Sequence, residues 1–98
     1  MDVKQTYTKA RDLIQAGWRQ GSYSYHAESG SCYCAAGAIR EAAGIGVAEK
    51  ASDLFAPLAA TIGGSTDEHE GGVINWNDDR DRTRDEVIAA FDKAIAQL

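Results

Sequence analysis

Apolar residues recur at steps of three and four at Val3, Tyr7, Ala10, Ile14 and Trp18, with Leu13 widening the stripe. That period predicts an amphipathic helix from about Val3 to Ala16, with Asp2 placed as its N-cap and Gly17 as its stop. Beyond it the pattern breaks. Gly17, Gly21 and Gly30 punctuate a polar stretch in which Tyr23 and Tyr25 alternate with Ser22 and Ser24. A short extended segment and an irregular loop fit that stretch about equally. Helical spacing returns from Ser31 or Cys32 to Gly44, where Ala35, Ala38, Ile39, Ala42 and Ala43 make one face. Small side chains on that face let a second helix approach closely. Gly37 lies within it, at a cost of about 1 kcal/mol relative to alanine in an exposed helix, which points to close backbone packing.

A third helix is predicted from Val47 to about Ile62 on Ala48, Ala51, Leu54, Phe55, Leu58 and Ile62. Pro57 falls inside it and removes one backbone donor, so the helix either kinks or splits in two. Gly63 to Glu70 reads as an acidic connecting loop, and Val73 to Asn77 as an extended segment with Ile74 and Trp76 on one face. Thr83 and Glu86 have capping-box spacing at the start of a last helix, whose stripe runs Val87, Ile88, Phe91, Ala94, Ile95 and Leu98. The expected fold is mainly α: a compact bundle of four to five helices with a short extended segment near 73–77, in a single domain over 1–98.

Composition narrows this further. A chain of 98 residues buries roughly two-thirds of its unfolded surface, enough for one core. Much of its apolar content is alanine, so a few bulky anchors, among them Trp18, Phe55, Trp76 and Phe91, must fill the space between helices. The net charge of −5 arises entirely in residues 63–98, which carry nine acids against four bases. No basic patch with interleaved aromatics appears, which argues against nucleic acid as a ligand. Cys32 and Cys34 are one residue apart, a spacing that suits neither a loop-closing disulfide nor a disulfide framework. No signal segment is apparent, and no apolar run approaches the ~20 residues that span a bilayer. A reduced, cytoplasmic setting without membrane attachment is expected.

Several short motifs carry a resemblance. Leu13-Ile14 with Gly17-Trp18 and Gln20-Gly21 comes first, then Cys34-Ala35-Ala36-Gly37-Ala38-Ile39 with Ala42. Ile74 with Trp76-Asn77-Asp78 follows, and finally Arg82-Thr83 with Glu86-Val87 and Asp92-Lys93-Ala94. In that order they resemble an uncharacterised family of small actinobacterial and phage proteins, over roughly residues 6–98. Tyr33 stands where the family pattern carries tryptophan. The resemblance implies one compact unit of phage or mobile-element type, and it assigns no catalytic residue.

Candidate chemistry divides between function and packing. Cys34 sits at a predicted helix start, where unpaired amides and the helix dipole stabilise a thiolate. With His69 or His26 as base and Asn77 or Asp78 as orienting group it would make a nucleophilic set; otherwise it is a small buried residue where helices touch. The same cysteines and histidines offer a poor zinc site, because ligand pairs usually stand two to four residues apart. Asn77, Asp79 and Asp81 begin like a calcium loop, but Arg82 and Ile88 occupy the positions that need glycine and glutamate. In place of a calcium site, Asn77 or Asp78 is expected to close a turn. No metal and no cofactor is therefore expected. Trp18, Tyr25, Trp76, Asn77 and Asp78 are the candidate binding residues, against the plainer reading that the tryptophans anchor the core. The acidic run Asp67 to Glu70 is a solvated connector or a dock for a basic partner.

Two functions follow as expectations. The first is a small non-enzymatic accessory protein, a monomer or small homo-oligomer, that occupies a surface of a host or phage protein in the host cytoplasm. The second is a cysteine-dependent hydrolase or transferase using Cys34 with His69 or His26, and Asp78.

Overall fold

The structure, a computed structural model, describes residues 2–27, 30–46, 52–63 and 69–98. Helix α1 (Val3–Ala16) starts in a capping box: the Asp2 carboxylate accepts the Gln5 N–H at 2.8 Å, and the Gln5 side chain accepts the Asp2 N–H at 3.2 Å. At its other end Gly17 leaves the helix in an extended conformation. A Cβ there would lie 2.5 Å from the Ser31 carbonyl oxygen, so the chain can pass its neighbour only as glycine.

That neighbour is a hairpin. Strands β1 (Ser24–Ala27) and β2 (Gly30–Tyr33) pair antiparallel, with Ser24 opposite Tyr33 and Ala27 opposite Gly30. The free side of β2 is met by the segment leaving α1, where the Tyr33 N–H donates to Gly17 O (2.9 Å) and the Arg19 N–H to Tyr33 O (3.0 Å). The second helix therefore does not begin at Ser31 or Cys32. Those residues belong to a strand, and α2 runs Ala35–Ala43 with Cys34 as its N-cap. Gly44, in the left-handed region at φ 72°, closes it. Gly37 fulfils its expected role: a Cβ would fall 1.9 Å from the Tyr23 carbonyl oxygen.

Helix α3 spans Ser52–Ile62, and the expected start at Val47 lies outside the described residues. Pro57 leaves it a single helix. The Tyr7 hydroxyl, reaching across from α1, donates to Leu54 O at 2.8 Å and accepts the Leu58 N–H at 3.1 Å. It thus splints the pair of groups that an uninterrupted helix joins directly, one residue beyond the proline.

The extended segment expected at 73–77 is instead the second half of a helix, α4 (His69–Asn77). Glu70, Val73, Ile74 and Asn77 fall on one helical face, and two of the four are polar, which hides the period from a hydrophobicity reading. The acidic stretch at 64–68 lies outside the described residues, while Glu70 is helical. Helix α5 (Arg84–Ala96) begins at the expected capping box of Thr83 and Glu86.

The chain is mainly α, with five helices and one hairpin among the described residues. Tyr7, Ile14, Ile39, Phe55, Leu58, Val73, Val87 and Phe91 are fully buried, and α1 contributes its stripe between α2 and α5. Alanines on α2 fill the narrow spaces, as their size requires. Val3 and Leu98, expected on apolar stripes, are exposed at the chain ends. Trp18 and Trp76 are half-buried at the margin of the core.

Candidate functional site

The polar side of the molecule is organised around Asn77, the last residue of α4 and fully buried. Its Oδ1 accepts from Trp18 Nε1 (2.7 Å) and from the Ala35 N–H (2.9 Å). Its Nδ2 donates to Arg19 O (3.1 Å) and to Asp78 Oδ1 (3.0 Å). All of the amide's usual capacity is in use, so Asn77 joins α4 to the start of α2 and to the segment leaving α1. Gln20 Nε2 reinforces the joint through Asn77 O (2.9 Å) and Asp79 O (2.7 Å). Arg82 donates to Trp76 O (2.9 Å) and lays its guanidinium 4.1 Å from the indole centroid. The turn expected of Asn77 or Asp78 is closed instead by Asp79, whose side chain accepts the Asp81 N–H at 3.0 Å.

Of the five sequence-derived binding residues, Trp18, Asn77 and Asp78 thus meet in one bonded cluster. Trp76 lies beside it under Arg82. Tyr25 is elsewhere, on β1, 57% exposed with the Arg19 guanidinium 5.4 Å above its ring.

A second polar cluster was not legible in the sequence. Arg40, on α2, is buried, and its Nη2 donates to Glu70 Oε1 (2.7 Å) while Nε donates to Glu70 Oε2. Its Nη1 donates to Gly46 O (2.6 Å), and the guanidinium lies 5.9 Å from the Tyr23 centroid and 5.4 Å from that of Phe55. A charge buried in this way is tolerable only when paired and hydrogen-bonded, and here each guanidinium nitrogen has a partner.

Cys34 is buried at the N-cap of α2, and its sulfur accepts the Gly37 N–H at 3.3 Å. Burial pushes the thiol above its ordinary pKa. The Gly37 and Ala36 amides oppose the rise, and the negative charges of Asp78 and Glu70 add to it. This is the reverse of the activation that a cysteine nucleophile needs. His26 sits on the hairpin, with Nδ1 2.8 Å from Ser31 Oγ and its ring edge-on to Tyr33. His69 opens α4, and its side chain lies outside the described residues. Among the described residues, no three His, Cys, Asp or Glu side chains gather as a metal-binding group.

Between the two polar clusters lies a half-enclosed cavity of about 280 Å³, lined by Gly21, Ser22, Tyr23, Cys34, Ile74 and Asp78. Its roof is the strap from Gly21 to Tyr23, held at one end by the Gly21 N–H on Asp78 Oδ1 (3.1 Å) and at the other by the Cys34 N–H on Tyr23 O (3.1 Å).

A family described as being of unknown function, DUF6197, matches residues 1–97. The chain belongs to DUF6197. No curated protein and no solved structure matches it significantly. Membership in DUF6197 agrees with the resemblance to an uncharacterised family, and it brings no assigned site with it. Within this DUF6197 chain, no helix among the described residues is long and apolar enough to cross a membrane.

Proposed function

We propose that this protein is a non-enzymatic accessory factor that acts by occupying a surface of another protein, of host or phage origin, in the cytoplasm. The observation that carries the reading is the use to which its reactive-looking groups are put. Asn77 spends its whole amide on the segment leaving α1, the start of α2 and its own neighbour Asp78, and Cys34 caps a helix with a thiol that burial keeps protonated. The contact surface is the outer edge of β1. Only β2 pairs with this strand among the described residues, and it displays Tyr25 under Arg19, two residue types that dominate binding energy at interfaces. Exposed strand edges accept an extended partner segment through main-chain hydrogen bonds.

The cysteine-dependent alternative draws no support from the described residues, since the thiol is shifted the wrong way and its hydrogen bond runs to a backbone amide. The experiment is affinity capture from host lysate with the wild-type chain and with Tyr25→Asp, a substitution at an exposed side chain. A stoichiometric partner held by the wild type and lost by the variant, at unchanged melting temperature, supports the proposal. Capture of nothing stoichiometric, or equal capture by both, refutes it.

A further inference from the structure

The cavity roofed by the Gly21–Tyr23 strap has a property that its polar neighbours do not share: no described side chain fills it. Ser22 and the glycine of the strap are small, the Cys34 side chain is short, and Ile74 and the Tyr23 ring supply apolar wall. Its volume of about 280 Å³ stands just below the roughly 300–1,000 Å³ of pockets that hold drug-sized ligands, so a compact molecule fits. The walls are fixed before any ligand arrives. Gln20, Gly21 and Tyr23 tie the strap to Asn77, Asp78 and Cys34 through the hydrogen bonds given above, so little ordering accompanies binding.

The unspent polar capacity of the wall has one sign. Asp78 Oδ1 accepts from Gly21 and from Asn77, while its Oδ2 accepts no hydrogen bond from the described residues. No described cation lines the cavity. The nearest buried one, Arg40, is committed to Glu70 on one side and to the Gly46 carbonyl on the other. The fields of Asp78 and Glu70 both reach the Cys34 sulfur in the wall. An anionic ligand would meet only negative charge there, whereas a cationic donor would find an open carboxylate oxygen beside an apolar wall, and a charge-assisted bond is stronger than a neutral one.

We propose that this cavity is a binding site for a compact primary amine, its apolar body against Ile74 and Tyr23 and its ammonium group donating to Asp78 Oδ2. The site is separate from the β1 edge and does not rest on the protein-docking reading.

The test uses the full chain and three probes built on one phenethyl body: phenethylamine, 2-phenylethanol and 3-phenylpropanoate, titrated by ¹⁵N–¹H NMR. Saturable shifts at the Gly21, Tyr23 and Ile74 amides are expected with the amine. The alcohol should bind about tenfold more weakly, as befits loss of one charge-assisted bond, and the carboxylate not at all. Asp78→Asn should bring the amine down to the affinity of the alcohol. Because Asp78 also helps hold the strap, Ile74→Phe serves as a second variant: it fills the cavity and should abolish binding of every probe while amide dispersion is retained. Amine shifts that do not saturate, carboxylate binding equal to amine binding, or full amine affinity in folded Ile74→Phe would each overturn the proposal.

Discussion

The two halves of this molecule hold together by different means. On one side α1, α3 and α5 meet through Tyr7, Ile14, Phe55, Leu58, Val87 and Phe91, with the Tyr7 and Phe91 rings edge-on at 5.7 Å. That side follows ordinary rules of apolar burial, and each helix carries its own stripe. On the other side the segment leaving α1, the hairpin, the start of α2 and the end of α4 are short and irregular. Their backbone groups are satisfied by side chains from distant parts of the chain, chiefly Asn77 and Gln20. The difference teaches that a small alanine-rich chain can join its irregular segments through a few buried side-chain hydrogen bonds, provided that each buried polar atom is satisfied. Among the described residues no buried side-chain nitrogen or oxygen lacks a partner.

The comparison is open to attack at three points. The greatest loss is expected from Asn77→Ala, which strands the Trp18 indole N–H and the Ala35 N–H in a partly dry setting and leaves a void. About 4 kcal/mol is expected, a large share of a small domain's total stability, measured by urea denaturation. A loss below about 1 kcal/mol would show that water replaces the amide and that the polar half is not held by it. Gly37→Ala comes next. Its methyl would overlap the Tyr23 carbonyl, and backbone rather than a flexible side chain would have to move, at about 3 kcal/mol. If the same denaturation midpoint is found for Gly37→Ala as for wild type, the close approach of strap and α2 is wrong.

The smallest of the three, on the apolar side, is Tyr7→Phe. Removing the hydroxyl unsplints Leu54 and Leu58 and should cost about 2 kcal/mol. The same group gives a pH signature. Burial, against the opposing Leu58 amide, pushes the Tyr7 hydroxyl from 10.0 up to about 12. Between those values the unfolded chain has lost the proton that the folded chain keeps, so the folded form binds more protons and stability falls as pH rises. The stabilisation is fully present below pH 10.0 and fades on the way to about 12. Denaturation at stepped alkaline pH should show a steeper decline for wild type than for Tyr7→Phe, and parallel declines would contradict the shift.

The apolar half was legible because its signals are local. Asp2 and Gln5, Thr83 and Glu86, and the stripes of α1 and α5 lie within a few turns of one another and mark helix starts and faces directly. Even Gly37 announced its contact through its cost in a helix. The polar half was illegible for a physical reason. Asn77 and Glu70 occupy inward positions that an amphipathic pattern reserves for apolar residues, so α4 reads as the alternating Ile74 and Trp76 of a strand. The Arg40–Glu70 pair joins residues 30 positions apart, which no short window along the chain contains. A step-by-step search for polar residues on helical spacing with Val73 and Ile74 would have found the face. Of the candidate site, the Trp-Asn-Asp motif and Cys34 stood out in the sequence, but the strap and the cavity beneath it did not.

The hydroxyl bridge across Pro57 ties the kinetics of one helix to another. The Leu58 amide, which proline's disruption would ordinarily leave open to exchange, is shielded only while α1 is seated against α3. Exchange at that single position with deuterium therefore requires α1 to lift away. Leu58 is a built-in reporter of whether the bundle opens piecemeal or all at once.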